Sequence, residues 1–475
     1  MNQPTFIAPL KLGFLPASRG FFSKRLAREM RSQTLAALHN AGYEVVVPEP
    51  GQTNEGCVET RAEAQFCANL FREKRVDGVI VCAVNFGDEQ AVALALRDME
   101  MRVPIFLFAA QEEAALRPGG ERRDSFCGLL SIAEALRQIG LPYSIGRHPV
   151  CVPGDVVFAA DLNWFAAICR VVRGVRRARY GQIGARPNAF WTCRFDEKAL
   201  QKIGPTTVTL DLSEVIGGAE KFKDNAPEVK TVLESLPGYA DTSALASSSL
   251  LQIAKLEAFI RRWAEEQDLD ALAVQCWTSL QQNYGVCSCT TMSRLTDLGL
   301  PAACEADIPG AMSMHALQLA SGHAAALADW NNLHNDDKSL VNLWHCGVFP
   351  KSLGQTKPKL ETHPILRDSG AVPAEKAGGI VEILLAEMPV TLARVTHDAS
   401  GNWKVLVAQG KIENNTAATS GSYGWCRIEN LSGLYRDVLL RQFPHHVALT
   451  RGSVGSALEE AFSRYLGLEV FPHSL

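Results

Sequence analysis

The sequence has no Cys-x-x-Cys pair, no Gly-x-Gly-x-x-Gly after its first strand, and no apolar run of about 18 residues. The first absence excludes the common paired-cysteine zinc cages and thioredoxin-like redox motifs. The second removes support for dinucleotide binding, because the first strand turns instead through Pro16-Ala-Ser-Arg-Gly-Phe-Phe22. The third leaves no segment able to cross a bilayer as a helix. The start, Met1-Asn-Gln-Pro-Thr-Phe-Ile-Ala-Pro-Leu-Lys11, also lacks a basic stretch followed by a long apolar core, so no signal peptide is expected. Positive charge is not in excess. Lys and Arg total 47 against 51 Asp and Glu, a net charge of −4, and the pI is near 6.3. A nucleic-acid partner needing a basic face is therefore not expected. These absences predict a cytoplasmic protein with neither a nucleic-acid nor a membrane partner.

What is present is ordinary for a large globular enzyme: 475 residues, 47% hydrophobic and 21% charged. That length predicts two to four domains, each able to bury its own core. The 13 cysteines are an odd number, and most sit in apolar runs, as do Cys82, Cys169, Cys193 and Cys276. They read as buried free thiols in a reducing compartment. The single basic cluster, Arg170 to Arg179, reads as a solvated helix end leading into a strand.

Residues 1–160 alternate between two periodicities. Strands are expected at 12–16, 43–47, 76–84, 103–109 and 142–145, with helices at 25–40, 61–74, 89–99 and 126–139 between them. This predicts a five-stranded, doubly wound parallel α/β domain. A second parallel α/β domain is expected over 161–347. It holds a helix at 161–175, strands at 178–183, 206–212 and 271–276, a long polar insert at 213–242, and a strong helix at 244–267. After Pro350 strand-like runs at 381–388, 390–396, 403–409 and 423–428 are separated by turn signals such as Asp398-Ala-Ser-Gly-Asn402. A mainly antiparallel β-barrel is expected over 348–475.

The chemistry concentrates at the junction. Leu300-Pro-Ala-Ala-Cys-Glu305 and Ala324-Ala-Ala-Leu-Ala-Asp329 are short apolar segments closed by carboxylates, with a helix-compatible stretch between them. As strand, crossover helix and strand, they place Glu305 and Asp329 at the carboxyl ends of neighbouring parallel strands, facing one crevice. His345 ends the next apolar run, and His445-His446 opens a strand far downstream. Two carboxylates with imidazoles suit a divalent metal with an acid and a base beside it. Taken singly, such carboxylates more often just cap the following helix; three consecutive strand ends argue for the site. Trp277 and Gln281 follow another strand end, as a stacking ring with a hydroxyl-binding amide or as core residues. His315 and His323 read as packing histidines, and Cys287 and Cys289 as buried thiols.

In this order and spacing, several segments resemble the L-fucose isomerase and L-arabinose isomerase superfamily, and most of all its smaller fucose-isomerase-like members. They are Arg19-Gly-Phe-Phe22, Asn85-Phe-Gly-Asp-Glu89, Arg123-Asp-Ser-Phe-Cys-Gly128, Gly181-Gln-Ile-Gly-Ala-Arg-Pro187, Cys276-Trp277, Ala303-Cys-Glu-Ala-Asp307, Asp329, His345-Cys-Gly347 and His445-His-Val447. The resemblance implies an aldose–ketose isomerase acting on a pentose, deoxyhexose or C6-modified hexose through a cis-enediolate, with Mn²⁺ or another divalent ion such as Co²⁺ or Mg²⁺. It implies Glu305 and Asp329 as acid–base groups and metal ligands, His446 as a ligand and His345 as a further one. It also implies Arg19, Asn85, Phe86, Trp277, Gln281 and His445 as substrate-binding residues. Arg19 and the Asn85-Phe86 turn would reach a neighbouring subunit's pocket in a homotrimer or hexamer. Ala306 departs from the pattern, standing where a glycine is expected after the glutamate. Two alternatives stay open here: a metal-dependent retro-aldol lyase, revealed by carbon-chain scission, and a sugar-binding protein without turnover.

Overall fold

Alternation of buried side chains builds the N-terminal sheet. In the computed structural model, which describes residues 6–113, 115–413 and 418–475, its strands are β1 (Lys11–Ala17), β2 (Glu44–Val46), β3 (Gly78–Ala83), β4 (Ile105–Ala110) and β5 (Ser144–Cys151). Val79, Val81, Ile105 and Leu107 pack on one face, while Ile80, Cys82, Phe106 and Phe108 pack on the other with Phe158 and Phe165. Both faces are covered, so the strands read as continuous apolar runs. The strand order is β2-β1-β3-β4-β5, all parallel. Helices Lys24–Asn40, Arg61–Lys74, Glu89–Asp98 and Ser125–Gln138 lie within a residue of the expected positions. The second is fixed at its start by reciprocal capping between Thr60 and Glu63.

This compact unit comprises residues 8–173 and, unexpectedly, 460–467. The late segment is tied in by polar bonds. The Tyr465 hydroxyl accepts from the Ile105 amide at 3.3 Å and donates to the Ile105 carbonyl at 3.1 Å, and Ser144 donates to Glu460 at 2.7 Å.

The other unit holds 174–459 and 468–475 together with the first few described residues. Its first sheet is parallel, in the order β7 (Thr206–Leu210), β6 (Arg179–Ile183), β8 (Ala271–Val274), β9 (Ala302–Cys304). The polar insert expected at 213–242 is instead largely helical, as Leu212–Glu220 and Pro227–Tyr239. Val215 and Ala219, and then Val229, Val232 and Leu236, recur at helical spacing and are buried, with both helices packed on helix Ser247–Glu266. A few apolar positions in a polar stretch suffice to seat a short amphipathic helix on a long one.

The remaining strands are β10 (Ala325–Leu333), β11 (Leu340–His345), β12 (Lys359–Thr362), β13 (Gly378–Leu384), β14 (Pro389–His397), β15 (Trp403–Ile412), β16 (Ser422–Arg427), β17 (His446–Arg451) and β18 (Glu469–His473). Six of them close a barrel, β16-β11-β10-β17-β14-β15, completed by pairing of Lys411 and Ile412 with Arg427 and Cys426. Every pairing within the ring is antiparallel. The parallel additions β13 on β16 and β18 on β15 make the whole sheet mixed.

One expectation is corrected here. The strands before Glu305 and around Asp329 are not parallel neighbours: β9 belongs to the parallel sheet, whereas β10 joins the barrel, antiparallel to β11 and β17. Asp329 sits inside β10 rather than at its end. The cause is the helix between them. All of Ile308–Ser321 except Leu319 and Ser321 is buried, and it packs on β8 and β9 as well as on β10, β14 and β17. A helix apolar all round is a layer between two sheets, not a cover on one. The sheet therefore changes at β10, ahead of the boundary expected at 347/348. No helix among the described residues is long and apolar enough to cross a membrane.

Candidate active site

The turn after β9 gives the site its shape. Glu305 has φ 62° and Ala306 φ 55°, both in the left-handed region that favours glycine. Holding alanine there costs about 1 kcal/mol. The backbone here has the left-handed conformation that a glycine, expected after Glu305, adopts most readily. Asp307 follows as the helix cap, its carboxylate accepting from the Gly310 amide at 3.0 Å.

The barrel supplies the opposing wall. The register of β10 against β17 sets Asp329 directly across from His446. Nε2 of His446 lies 3.3 Å from Oε2 of Glu305 and 3.6 Å from Oδ1 of Asp329. His345, at the end of β11, brings its ring to 5.8 Å from that of His446. Glu305, His345 and His446 are buried, and Asp329 is half-buried. His445 stays at the rim with its side chain 42% exposed, and its Nε2 is 3.6 Å from Asp329 Oδ1.

His446 is oriented from behind. Its Nδ1 is 2.7 Å from Oδ2 of Asp307, whose carboxylate also accepts from Arg394 at 2.5 and 3.1 Å. Asp307 and Arg394 are fully buried. Burial opposes the Asp307 charge, but Arg394 and His446 outweigh it and hold the carboxyl well below its usual range. An ionised carboxylate only accepts, so Nδ1 carries the hydrogen and the Nε2 side faces Glu305 and Asp329. Burial likewise opposes a charge on His446, yet Asp307, Cys193 and Glu305 raise its pKa well above the ordinary value.

His345 is held the other way round. Its Nδ1 accepts the Cys346 backbone N–H at 2.9 Å, which in a neutral ring places the hydrogen on Nε2. Protonation places it there too. Burial disfavours that form, but the neighbouring Cys346, then Asp329, raise the pKa to about 9. In its neutral form His345 thus turns an N–H toward the site, whereas neutral His446, its hydrogen held on Nδ1 by Asp307, turns a lone pair toward it.

Four polar atoms converge without hydrogen-bond partners: Oε2 of Glu305, Oδ1 of Asp329, and Nε2 of His345 and His446. Buried polar groups are ordinarily satisfied, so a cluster of orphans marks a place for something else. Glu305, His445 and His446 bring ligand atoms within 4.8 Å of one another, as do Asp329, His345 and His446. Carboxylate oxygens with an imidazole nitrogen form a donor set that fits Mn²⁺, Co²⁺ or Mg²⁺.

The other expected site residues separate. Trp277 lines a cleft of about 450 Å³ and meets Phe190 and His363 edge-on at 6.3 and 5.5 Å. Gln281 is buried and braces the strand-end loop, donating to the Cys276 carbonyl at 2.7 Å; the amides on the cleft wall are Asn188, Gln275 and Gln282. In the N-terminal unit Asn85 is buried. Its side chain accepts from the Arg19 and Gly87 amides, both at 3.0 Å, so it clamps two loops together. Arg19 lies over the Phe86 ring at 4.8 Å, and Phe22 stacks on Phe86 at 5.8 Å. Asp307 and Arg394 were not singled out from the sequence. An aspartate two residues after Glu305, ahead of Ile-Pro, was the available sign of a capped turn; Arg394 carried none. The thiols behave as expected: twelve are buried and only Cys127 is exposed.

Comparison with known proteins identifies the family. The profile of the fucose/sulfoquinovose isomerase N-terminal domain matches residues 13–176, and that of the L-fucose isomerase C-terminal domain matches residues 343–473. A sulfoquinovose isomerase of Priestia aryabhattai is 25% identical over 462 residues, covering 96% of this chain and 97% of the relative. Another, from Alkalicoccus urumqiensis, is 25% identical over 81% of this chain and 83% of its own length. With both family domains matched in order and relatives aligned nearly end to end, the chain belongs to the fucose isomerase-like family and is an aldose–ketose isomerase.

Proposed function

We propose that the chain converts a C6-modified aldose, with sulfoquinovose the leading candidate, into its ketose, using a divalent cation held by Glu305, Asp329 and His446. The observation that carries this reading is the convergence of orphaned buried atoms from those residues. The named activity of relatives that align along almost the whole chain supports the sugar class. When bound, the ion supplies positive charge beside the oxygens of the cis-enediolate. The residues do the rest. Isomerisation removes a proton from C2 and returns one to C1, and Glu305 and Asp329 are the carboxylates available for both transfers. The His345 Nε2–H donates to a substrate oxygen on which charge develops. Asp307 and Arg394 keep His446 in one orientation. Trp277 gives an apolar face for the sugar ring.

In this reading Arg19, Asn85 and Phe86 form a turn that completes the pocket of a neighbouring subunit in a trimer or hexamer. Their turn carries exposed Phe21 and no acid–base pair of its own. The test is a panel of aldoses, including sulfoquinovose, L-fucose and D-arabinose, assayed with Mn²⁺, Co²⁺ or Mg²⁺ in deuterium oxide. Ketose formation with solvent deuterium at C1, abolished by EDTA, is the expected result. Scission of the carbon chain, or turnover indifferent to EDTA, would refute it.

A further inference from the structure

The cleft beside Trp277 has an unusual balance of charge. Arg186 is its only ionic residue; the remaining polar side chains on its wall are amides and hydroxyls, among them Asn188, Gln275 and Gln282, with Phe190 and Trp277 as aromatic walls. No carboxylate lines it. The guanidinium is already positioned. Its Nη1 donates to the carbonyls of Pro187 at 2.8 Å and Asn188 at 3.0 Å. Nε and Nη2 have no partner among the described residues. A half-buried guanidinium held by one nitrogen, with the rest of its fork unused and no counter-charge, suits a tetrahedral oxyanion.

The cleft also stands in the right place. β6, β8 and β9 are adjacent in the parallel sheet. Their carboxyl ends lead into the Arg186 loop, the Trp277 loop and the Glu305 turn in that order. Arg186 and Glu305 thus leave one sheet edge two strand spacings apart, roughly 10 Å, a span that an open-chain hexose with a terminal substituent can bridge. Contacts join the two places. Cys276, next to Trp277, has its sulfur 3.0 Å from that of Cys304, which precedes Glu305. Further along the Arg186 loop, Cys193 reaches to 3.9 Å from His446 Nδ1.

We infer that Arg186 determines specificity by binding an anionic group, a sulfonate or a phosphate, on the terminal carbon of the substrate. The inference rests on the isomerase reading of the neighbouring carboxylates. It adds a recognition residue that acts in binding, not in proton transfer. The amides of the wall meet hydroxyls along the sugar, and Trp277 covers its C–H face.

Equilibrium binding tests this without turnover, so its outcome is independent of whether the carboxylates isomerise anything. The Mn²⁺-loaded protein is titrated with three alditols that cannot isomerise: 6-deoxy-6-sulfoglucitol, glucitol 6-phosphate and neutral 6-deoxyglucitol. At least one anionic alditol is expected to bind about 10- to 100-fold more tightly than the neutral one, the scale of one hydrogen-bonded charge pair. The tighter of the two identifies the group as sulfonate or phosphate. Arg186→Gln should erase the preference while leaving the neutral alditol's affinity and the bound Mn²⁺ unchanged, and Arg186→Lys should restore part of it. No preference in the native protein, or a preference that survives Arg186→Gln, would overturn the assignment. So would a loss of affinity for all three alditols alike.

Discussion

His315 and His446 are both fully buried imidazoles in the same unit, yet their pKa values move in opposite directions. His315 lies inside the helix layered between the two sheets, with the Tyr180 hydroxyl 3.3 Å from its Nδ1. Desolvation is unopposed there and lowers its pKa to about 4. His446 faces the same desolvation, but Asp307, Cys193 and Glu305 overturn it and raise the pKa well above the ordinary value. Removal from water alone makes a neutral packing group. Removal from water among carboxylates makes a charged site with atoms left to satisfy.

The sharpest way to break the contrast is to neutralise the open side of His446. Glu305→Gln and Asp329→Asn should each lower turnover by about 10²- to 10⁴-fold with thermal unfolding unchanged; near-normal rates in either would remove the acid–base assignment. Metal content separates the imidazoles next. His446→Ala should lose bound Mn²⁺ in elemental analysis of dialysed protein, whereas His345→Gln should keep it and turn over slowly. His445→Ala should weaken metal binding less than His446→Ala, because it stands at the rim.

The closed side of His446 should report through stability. Asp307→Asn leaves Arg394 buried without its charge partner, a loss of about 3–5 kcal/mol in urea unfolding, with metal affinity falling about 10- to 100-fold. A variant of native stability would mean that the ion pair does not fix the ring. For His315 the folded pKa lies below the unfolded one, so the unfolded chain takes up its proton first. Stability should fall as pH drops from about 6.5 to 4, by at most about 3 kcal/mol, and no further below that. His315→Gln should flatten that part of the profile relative to the native protein; parallel profiles would contradict the burial account. The smallest effect concerns the turn itself. Ala306→Gly should stabilise by about 1 kcal/mol, and a destabilisation would show that the methyl group packs usefully.

Much of this was legible where local rules decide. The N-terminal strands and helices lie close to where the alternating apolar runs put them, because a doubly covered parallel sheet writes itself as short Val- and Phe-rich segments. Glu305, Asp329, His345 and His446 do converge, as the strand-end pattern suggested, but by another route. The pattern strand, helix, strand is the same whether the second strand returns to its sheet or crosses to a barrel. Only the helix between, with Met312, Met314, Ala316 and Leu317 on every side, hinted at a layer covered twice. Arg394 could not be read at all. An arginine in an alternating strand looks like a surface residue until a carboxylate about 90 residues earlier is found beneath it. The helices at 212–239 were hidden by their polar faces.

The eight residues 460–467 have a consequence for synthesis. Residues 8–173 leave the ribosome early, but their sheet receives the Tyr465 and Glu460 bonds to Ile105 and Ser144 only after about 290 further residues have been made. At about 5–20 residues per second that interval is roughly 15–60 s. During it the nascent sheet must persist with the Ile105 amide and carbonyl facing water or a chaperone. Residues 460–467 then act as a clasp on a unit whose other residues were made about 290 residues earlier.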